Sequence, residues 1–254
     1  MNLAEALIPM LPGSRGDRGV IVFVGAGGKT SALFHLAREL VERGWSVLVT
    51  TTTHLADPRA TAGPTAAILW RPEMESPCAP GPGPAAVPAP EPGSGPGVTL
   101  LVSREADAPG KVKGIDPSWI PGLKTAWDFV LVEADGSKRL PVKAPESYEP
   151  VIPPGTDLVV GVIGLDCLDR PMDGRTVHRP ERFSAVTGCA PGAPVAWEHL
   201  AALVRHPDGL FKGARSPRAV FLNKSDLAPV LPSQGQLDQL PAELVLVGSL
   251  EEAP

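Results

Sequence analysis

Cysteine is scarce in this chain: its 254 residues hold three, Cys78, Cys167 and Cys189, far apart and with no CxxC pair. That spacing gives neither a disulfide framework nor a cysteine zinc site, and it points to a reducing cytoplasm. A basic excess is also lacking. The 23 Lys+Arg against 28 Asp+Glu leave a net charge of −5, which argues against a protein that coats nucleic acid or an anionic membrane. No apolar run approaches the roughly 18 residues of a membrane span. The first stretch, MNLAEALIPMLPGSRGDRG, carries Glu5 and no basic n-region, so no signal peptide is expected. No internal repeat is visible. Hydrophobic residues nevertheless make up 43% and charged residues only 20%, enough apolar material for a packed core and too little charge for a disordered chain. The expectation is one globular cytoplasmic domain over residues 1–254, with no nucleic-acid and no membrane partner.

Proline and glycine are what the chain has in excess, 31 and 27 residues, and they are clustered. From Arg71 to Gly97 the chain reads RPEMESPCAPGPGPAAVPAPEPGSGPG. Such a segment buries too little apolar surface to offset its ordering entropy, and its prolines block helix and ladder hydrogen bonds. It reads as a flexible insert in a surface loop. The alternative, a linker between two domains, is disfavoured because chemically informative motifs lie on both sides.

Elsewhere short apolar runs alternate with helical patterns. Strands are expected at Val20–Val24, Ser46–Thr50, Val98–Val102, Phe129–Glu133, Leu158–Ile163, Ala219–Leu222 and Leu244–Val247. A helix is expected over Ser31–Arg43, where Leu33, Leu36, Ala37, Leu40 and Val41 share one face and Gly44 provides the stop. Further helices are expected over Pro180–Thr187, Val195–His206 and Gln234–Leu240. Strands that are apolar throughout and separated by helices predict a three-layer α/β fold, a mostly parallel sheet flanked by helices. In such sheets ligands bind beyond the carboxyl ends of the strands.

The strongest motif stands at such an end: Gly25-Ala26-Gly27-Gly28-Lys29-Thr30, followed by Ser31 in the first turn of the expected helix. Glycines let backbone N–H groups approach phosphate oxygens, and the helix start adds a positive dipole end. Lys29 would reach the β- and γ-phosphates and Thr30 would hold Mg²⁺. The usual G-x-x-x-x-G-K-[ST] would require glycine where this chain has Phe23, so the loop is a shortened form. The bland reading is a glycine-rich turn with an incidental lysine.

Three other strand ends carry polar groups. Phe129–Glu133 runs into Ala134, Asp135 and Gly136, and strand alternation puts Glu133 and Asp135 on one face, suited to Mg²⁺; acids that merely end a strand are the alternative. Asn223-Lys224-Ser225-Asp226 follows Ala219–Leu222 and resembles the guanine-recognition motif of GTPases. An ionised Asp226 accepts only, which suits the guanine N1–H and 2-amino donors; the alternative is a helix cap. Thr50–Thr53 and His54 close the second strand, where hydroxyls and an imidazole could face a phosphate or an attacking water, although threonine is also ordinary strand composition. Before the helix at Pro180, His178 and Arg179 offer an imidazole and a planar fork for a phosphate; the bland reading is a proline-led helix start.

Taken together, FVGAGGKT, VLVTTTTHL, LVEADGSKRLPVKAPESYEPVIP, the GLD…TVHRPERF block and FLNKSD resemble the selenium-dependent hydroxylase accessory proteins, the YqeC-like family. The similarity runs over nearly the whole chain outside the Pro/Gly-rich insert. It implies a P-loop protein that assists maturation of selenium-dependent molybdenum hydroxylases at the molybdenum cofactor. It also makes Glu133, Asp135, Lys138, Lys143, His178 and Arg179 candidate site residues. The resulting expectation is an Mg²⁺-dependent nucleotide hydrolase that uses GTP (or ATP). Lys29, Asp135, His54 and Arg179 would be its catalytic groups, and Thr30, Glu133 and Asp135 its metal ligands. Residues 25–31, Asn223, Lys224, Asp226, Lys138 and His178 would bind the nucleotide or cofactor. Two alternatives stay open: an ATP-dependent ligase with a Mur-type loop, and a nucleotide-gated chaperone without hydrolysis.

Overall fold

The computed structural model describes residues 1–12, 18–56, 66–76, 97–106 and 110–250. Seven strands form the expected parallel frame: β1 (Gly19–Gly25), β2 (Val47–Thr51), β5 (Val98–Val102), β8 (Phe129–Glu133), β10 (Leu158–Gly164), β12 (Arg218–Asn223) and β13 (Leu244–Val247). An eighth, β4 (Ala66–Trp70), pairs with β5 and closes one edge, giving the order β13-β12-β10-β1-β8-β2-β5-β4, every pairing parallel. Shorter strands form two further sheets. One joins β3 (His54–Ala56), β7 (Lys111–Lys113) and β6 (Arg104–Glu105); the other pairs β9 (Val142–Lys143) with β11 (Val177–His178).

Both faces of the main sheet are apolar because helices cover both, as parallel sheets require. Ile21, Phe23, Val49, Leu131, Val160 and Phe221 bury against α1 (Leu3–Leu7) and α2 (Lys29–Glu42). Alternate residues Val20, Val22, Val24, Val130, Val132 and Val220 face the layer containing α3 (Ile120–Ala126), α4 (Pro180–Thr187) and α5 (Trp197–Arg205). A short α6 (Gln234–Leu237) precedes β13 and stops earlier than the expected helix.

Helix α2 starts at Lys29, two residues before the expected Ser31, because Gly28 at φ +110° turns the glycine loop directly into the helix; Gly44 at φ +87° ends it. Of the expected insert, Arg71–Gly97, only the two ends fall within the described residues. Residues 72–75 form a 3₁₀ turn with Met74 buried and with Glu75 paired to Arg104 and Lys113. Residues 77–96 lie outside the described residues. Among the described residues no helix is long and apolar enough to cross a membrane.

Strand register brings the motifs together. Phe23 pairs with Glu133, Gly25 with Val162, and Gly164 with Asn223, so the carboxyl ends of β1, β8, β10 and β12 form one edge.

Candidate functional site

At this edge the glycines of the loop are dictated by space as well as by rotation. Gly25, Gly27 and Gly28 have φ of +94°, +84° and +110°. A Cβ on Gly27 would lie 2.0 Å from the Gly164 nitrogen, and one on Gly25 would lie 2.4 Å from the Val162 carbonyl. The loop is held from three sides: Gly25 N–H donates to Asp135 Oδ2 (3.0 Å), Ala26 N–H to Val162 O (2.9 Å) and Gly27 N–H to Leu140 O (3.0 Å). Lys29 is buried, donates to Gly25 O at 2.6 Å and lies 3.1 Å from Asp135 Oδ1. The first helical bond, Ala32 N–H to Gly28 O, leaves the positive end of α2 facing the loop.

The two acids do different things. Glu133 Oε2 accepts from the Thr30 hydroxyl at 2.7 Å. Burial raises the Glu133 carboxyl, against the opposing pull of Lys29 and the Thr30 hydrogen bond. Asp135 is taken up by Gly25 N–H, Lys29 and the buried Lys143, whose Nζ lies 2.9 Å from Oδ2. Lys143 continues to Gly136 O (2.8 Å) and Glu149 Oε2 (2.7 Å). Glu149 in turn accepts two hydrogen bonds from the Arg179 guanidinium. Burial pushes the Glu149 carboxyl up, but the Arg179 hydrogen bond and the Lys143 charge outweigh it and bring it to about 2. The result is an alternating ionic chain, Lys29–Asp135–Lys143–Glu149–Arg179, leading from the buried end at the glycine loop to the more exposed Arg179.

On the other side Asn223 Nδ2 donates to Gly27 O at 2.9 Å, tying the end of β12 to the loop. Lys224, at φ +59°, turns to Asp166 Oδ2 at 2.8 Å. Asp226 is exposed, and Ser249, just after β13, holds it in place: Ser249 Oγ accepts from Asp226 N–H at 3.1 Å and bonds its carboxylate. Glycine loop, acids and the Asn223–Asp226 turn thus share one edge, the arrangement the sequence motifs imply.

A family model described as "YqeC protein" matches residues 21–181, from β1 to the start of α4. The chain belongs to the YqeC family. It is 36% identical over 250 residues to the "Uncharacterized protein YqeC" of Escherichia coli (strain K12), covering 92% of this chain and 89% of that one. No solved structure matches the chain significantly.

In this YqeC-family chain the edge does not gather every candidate. His54 sits on β3, pairs in register with Lys113 and is exposed; no hydrogen bond or ion pair among the described residues joins it to the glycine loop. The threonine run holds strand ends together: Thr50 bonds Leu101 O, Thr51 bonds Glu133 O and Thr52 bonds Val151 O, each at 2.8 Å. Cys167 is buried, and burial, helped by Asp166, pushes its thiol up to about 12, which keeps it an unreactive thiol. Glu149, Asp166 and Ser249 were not among the sequence candidates. The signal for Glu149 would have been a buried Lys143 in need of an acid, and burial of a lysine is not written in local sequence. Among the described residues no three His, Cys, Asp or Glu side chains converge as a metal site.

Proposed function

We propose that this chain binds a nucleoside triphosphate with Mg²⁺ and hydrolyses it, preferring GTP. The observation that carries the reading is Lys29 and Thr30 at the start of α2, behind three left-handed glycines, with Glu133 on the Thr30 hydroxyl. Lys29 would exchange Gly25 O for the β- and γ-phosphate oxygens, while Asp135, clamped by Lys143, keeps the loop in shape. The donor set fits Mg²⁺: Thr30 and Glu133 offer hard oxygens 2.7 Å apart, and Asp135 keeps a buried Oδ1 that accepts no hydrogen bond. The ion would neutralise charge on the phosphates, which is most of what phosphoryl transfer needs.

Asp226, oriented by Ser249 and left exposed, would accept from the guanine N1–H and 2-amino group; this favours GTP over the adenine-using ligase alternative. Family membership, together with the resemblance of the motifs, supports a cytoplasmic accessory role in maturing a molybdenum hydroxylase or its cofactor, with hydrolysis gating that role.

The test is calorimetric titration of GTP and ATP with and without Mg²⁺, alongside phosphate release, on wild type and Lys29→Ala. The folded variant should lose nucleotide affinity and phosphate release. Unchanged affinity in Lys29→Ala would sink the reading.

A further inference from the structure

A groove of about 240 Å³ lies between the segment that follows β10 and the loop that leads from Asp226 to α6. Leu168 and Trp197, which pack against the core, line it together with Pro229, Val230, Leu231 and Pro232. The loop side is apolar and open to solvent. Leu227, Val230 and Leu231 are 58%, 71% and 54% exposed, and among the described residues only Met1 and Tyr148 are large hydrophobics of comparable exposure. Single exposed apolar side chains are ordinary, but three within five residues beside a cleft mark an interaction surface. Val230 and Leu231 also make no backbone hydrogen bond among the described residues, so their N–H and C=O groups are open to another main chain.

The polar groups of the groove select its occupant. Asp169 and Glu198 line it, both are exposed, and neither carboxylate has a hydrogen bond or ion pair among the described residues. The Asp169 N–H donates to Val195 O at 2.9 Å, which fixes this turn against the start of α5 and brings the two acids to one cleft. Glu198 is favoured in the first turn of α5 by the positive helix end, yet no cation pairs with it. The lining holds no lysine or arginine among the described residues. The Trp197 Nε1–H is buried and donates to nothing. Buried donors normally find an acceptor, so this indole lacks a partner from outside the chain.

We propose that this groove docks an extended segment of a partner protein through one arginine or lysine flanked by apolar residues. The cationic head pairs with Asp169 and Glu198, and its aliphatic stem lies along Leu168 and the Trp197 ring. A main-chain carbonyl of the segment accepts from Trp197 Nε1, and the flanking apolar side chains cover Val230 and Leu231. An acidic segment would meet two carboxylates of its own sign. A wholly apolar one would strip water from them without replacing it. The groove adjoins the Asp226 turn: Leu227 N–H bonds Lys224 O at 3.1 Å, and Asp166, three residues before Asp169, holds the Lys224 side chain. The docking surface does not rest on the nucleotide reading.

The experiment pans a random peptide library, displayed on phage, against the full chain, with the Asp169→Asn/Glu198→Gln double variant as counter-target. Asparagine keeps the left-handed backbone of position 169, at φ +60°, and unchanged unfolding midpoints establish that the variants are folded. Enriched peptides should carry an arginine or lysine beside apolar residues. A synthetic peptide of the enriched sequence, titrated by calorimetry, should lose about tenfold or more in affinity for the double variant, the loss of a charge-assisted contact. Leu231→Asp should weaken it as well. Replacing the peptide's basic residue by methionine should cost as much on the wild type and nothing further on the double variant. The same peptide should move the Trp197 indole N–H resonance. Enrichment of acidic or wholly apolar peptides, no enrichment at all, or equal binding to the double variant would each overturn the proposal. Sedimentation of the wild type tests the remaining occupant: a dimer that Leu231→Asp dissociates would give the surface to a second copy of this chain and overturn it too.

Discussion

At the glycine-loop end of the edge, Lys29, Asp135, Lys143 and Glu149 are all buried and bonded to one another. At the opposite end Asp226 is exposed and is held by a serine and a backbone N–H. The difference is one of solvation. A buried charge is tolerated only with its partners in place, so every member of the inner chain supports the fold as well as the site. An exposed carboxylate stays hydrated without a ligand, so Asp226 is free to act on ligand choice alone. Changes at the inner end should therefore appear first as lost stability, and changes at the outer end as altered affinity.

The largest effect expected is at Lys143. Lys143→Ala would leave Asp135 and Glu149 buried without their shared cation, a loss of roughly 3–5 kcal/mol. Urea unfolding of Lys143→Ala and Asp226→Ala measures both ends on one scale. A loss at Lys143 no larger than that at Asp226 would dissolve the contrast.

Acid should find the inner end next. Glu149 sits at about 2 in the fold against 4.5 ordinarily, so its contribution is complete above 4.5 and disappears as pH falls toward 2. His178 is also lowered, from 6.5 to about 4, which has a related consequence. As pH falls through that window the unfolded chain takes up the proton first, so stability is lost between 6.5 and 4. Each group accounts for up to about 3 kcal/mol at 1.36 kcal/mol per pH unit. Denaturant midpoints measured from pH 7 to 3 should fall in two successive steps; His178→Gln should flatten the upper step and Glu149→Gln the lower. A wild-type profile level down to pH 4 would contradict the burial argument for His178.

The smallest effect on the fold is expected at Asp226. Asp226→Asn should lose about 1.5–3 kcal/mol of GTP affinity, or roughly 10- to 150-fold, and gain xanthosine triphosphate, whose 2-oxo group accepts from the new amide. Its unfolding midpoint should stay within about 1 kcal/mol of wild type, the cost of a lost cap at most. Equal and unaltered affinities for ATP and GTP would remove guanine recognition and bring the adenine-using ligase reading forward.

Much of the frame was legible because its signals are local. Apolar runs of strand length, the glycine-to-helix junction and the 3.6-residue face of α2 read directly from the chain. Edge strand β4 and the two- and three-residue strands of the small sheets went unrecognised, because such short segments show no period. Alternation put Glu133 and Asp135 on one face and suggested a shared metal. In the fold β8 ends at Glu133, Asp135 meets Gly25 N–H and Lys143 through Oδ2, and its Oδ1 accepts no hydrogen bond.

By itself, then, the sequence determined the layered α/β fold, the glycine turn into α2 and the placing of polar motifs at strand ends. Each follows from short-range periodicity and from backbone freedom that only glycine allows. Only the tertiary structure decided that Lys143 is buried, that Arg179 meets Glu149 from a distant segment, and that Ser249 orients Asp226. Desolvation and ion pairing act between segments brought together by sheet register. Burial, and partners as far apart as Glu149 and Arg179, cannot be read from one stretch of chain.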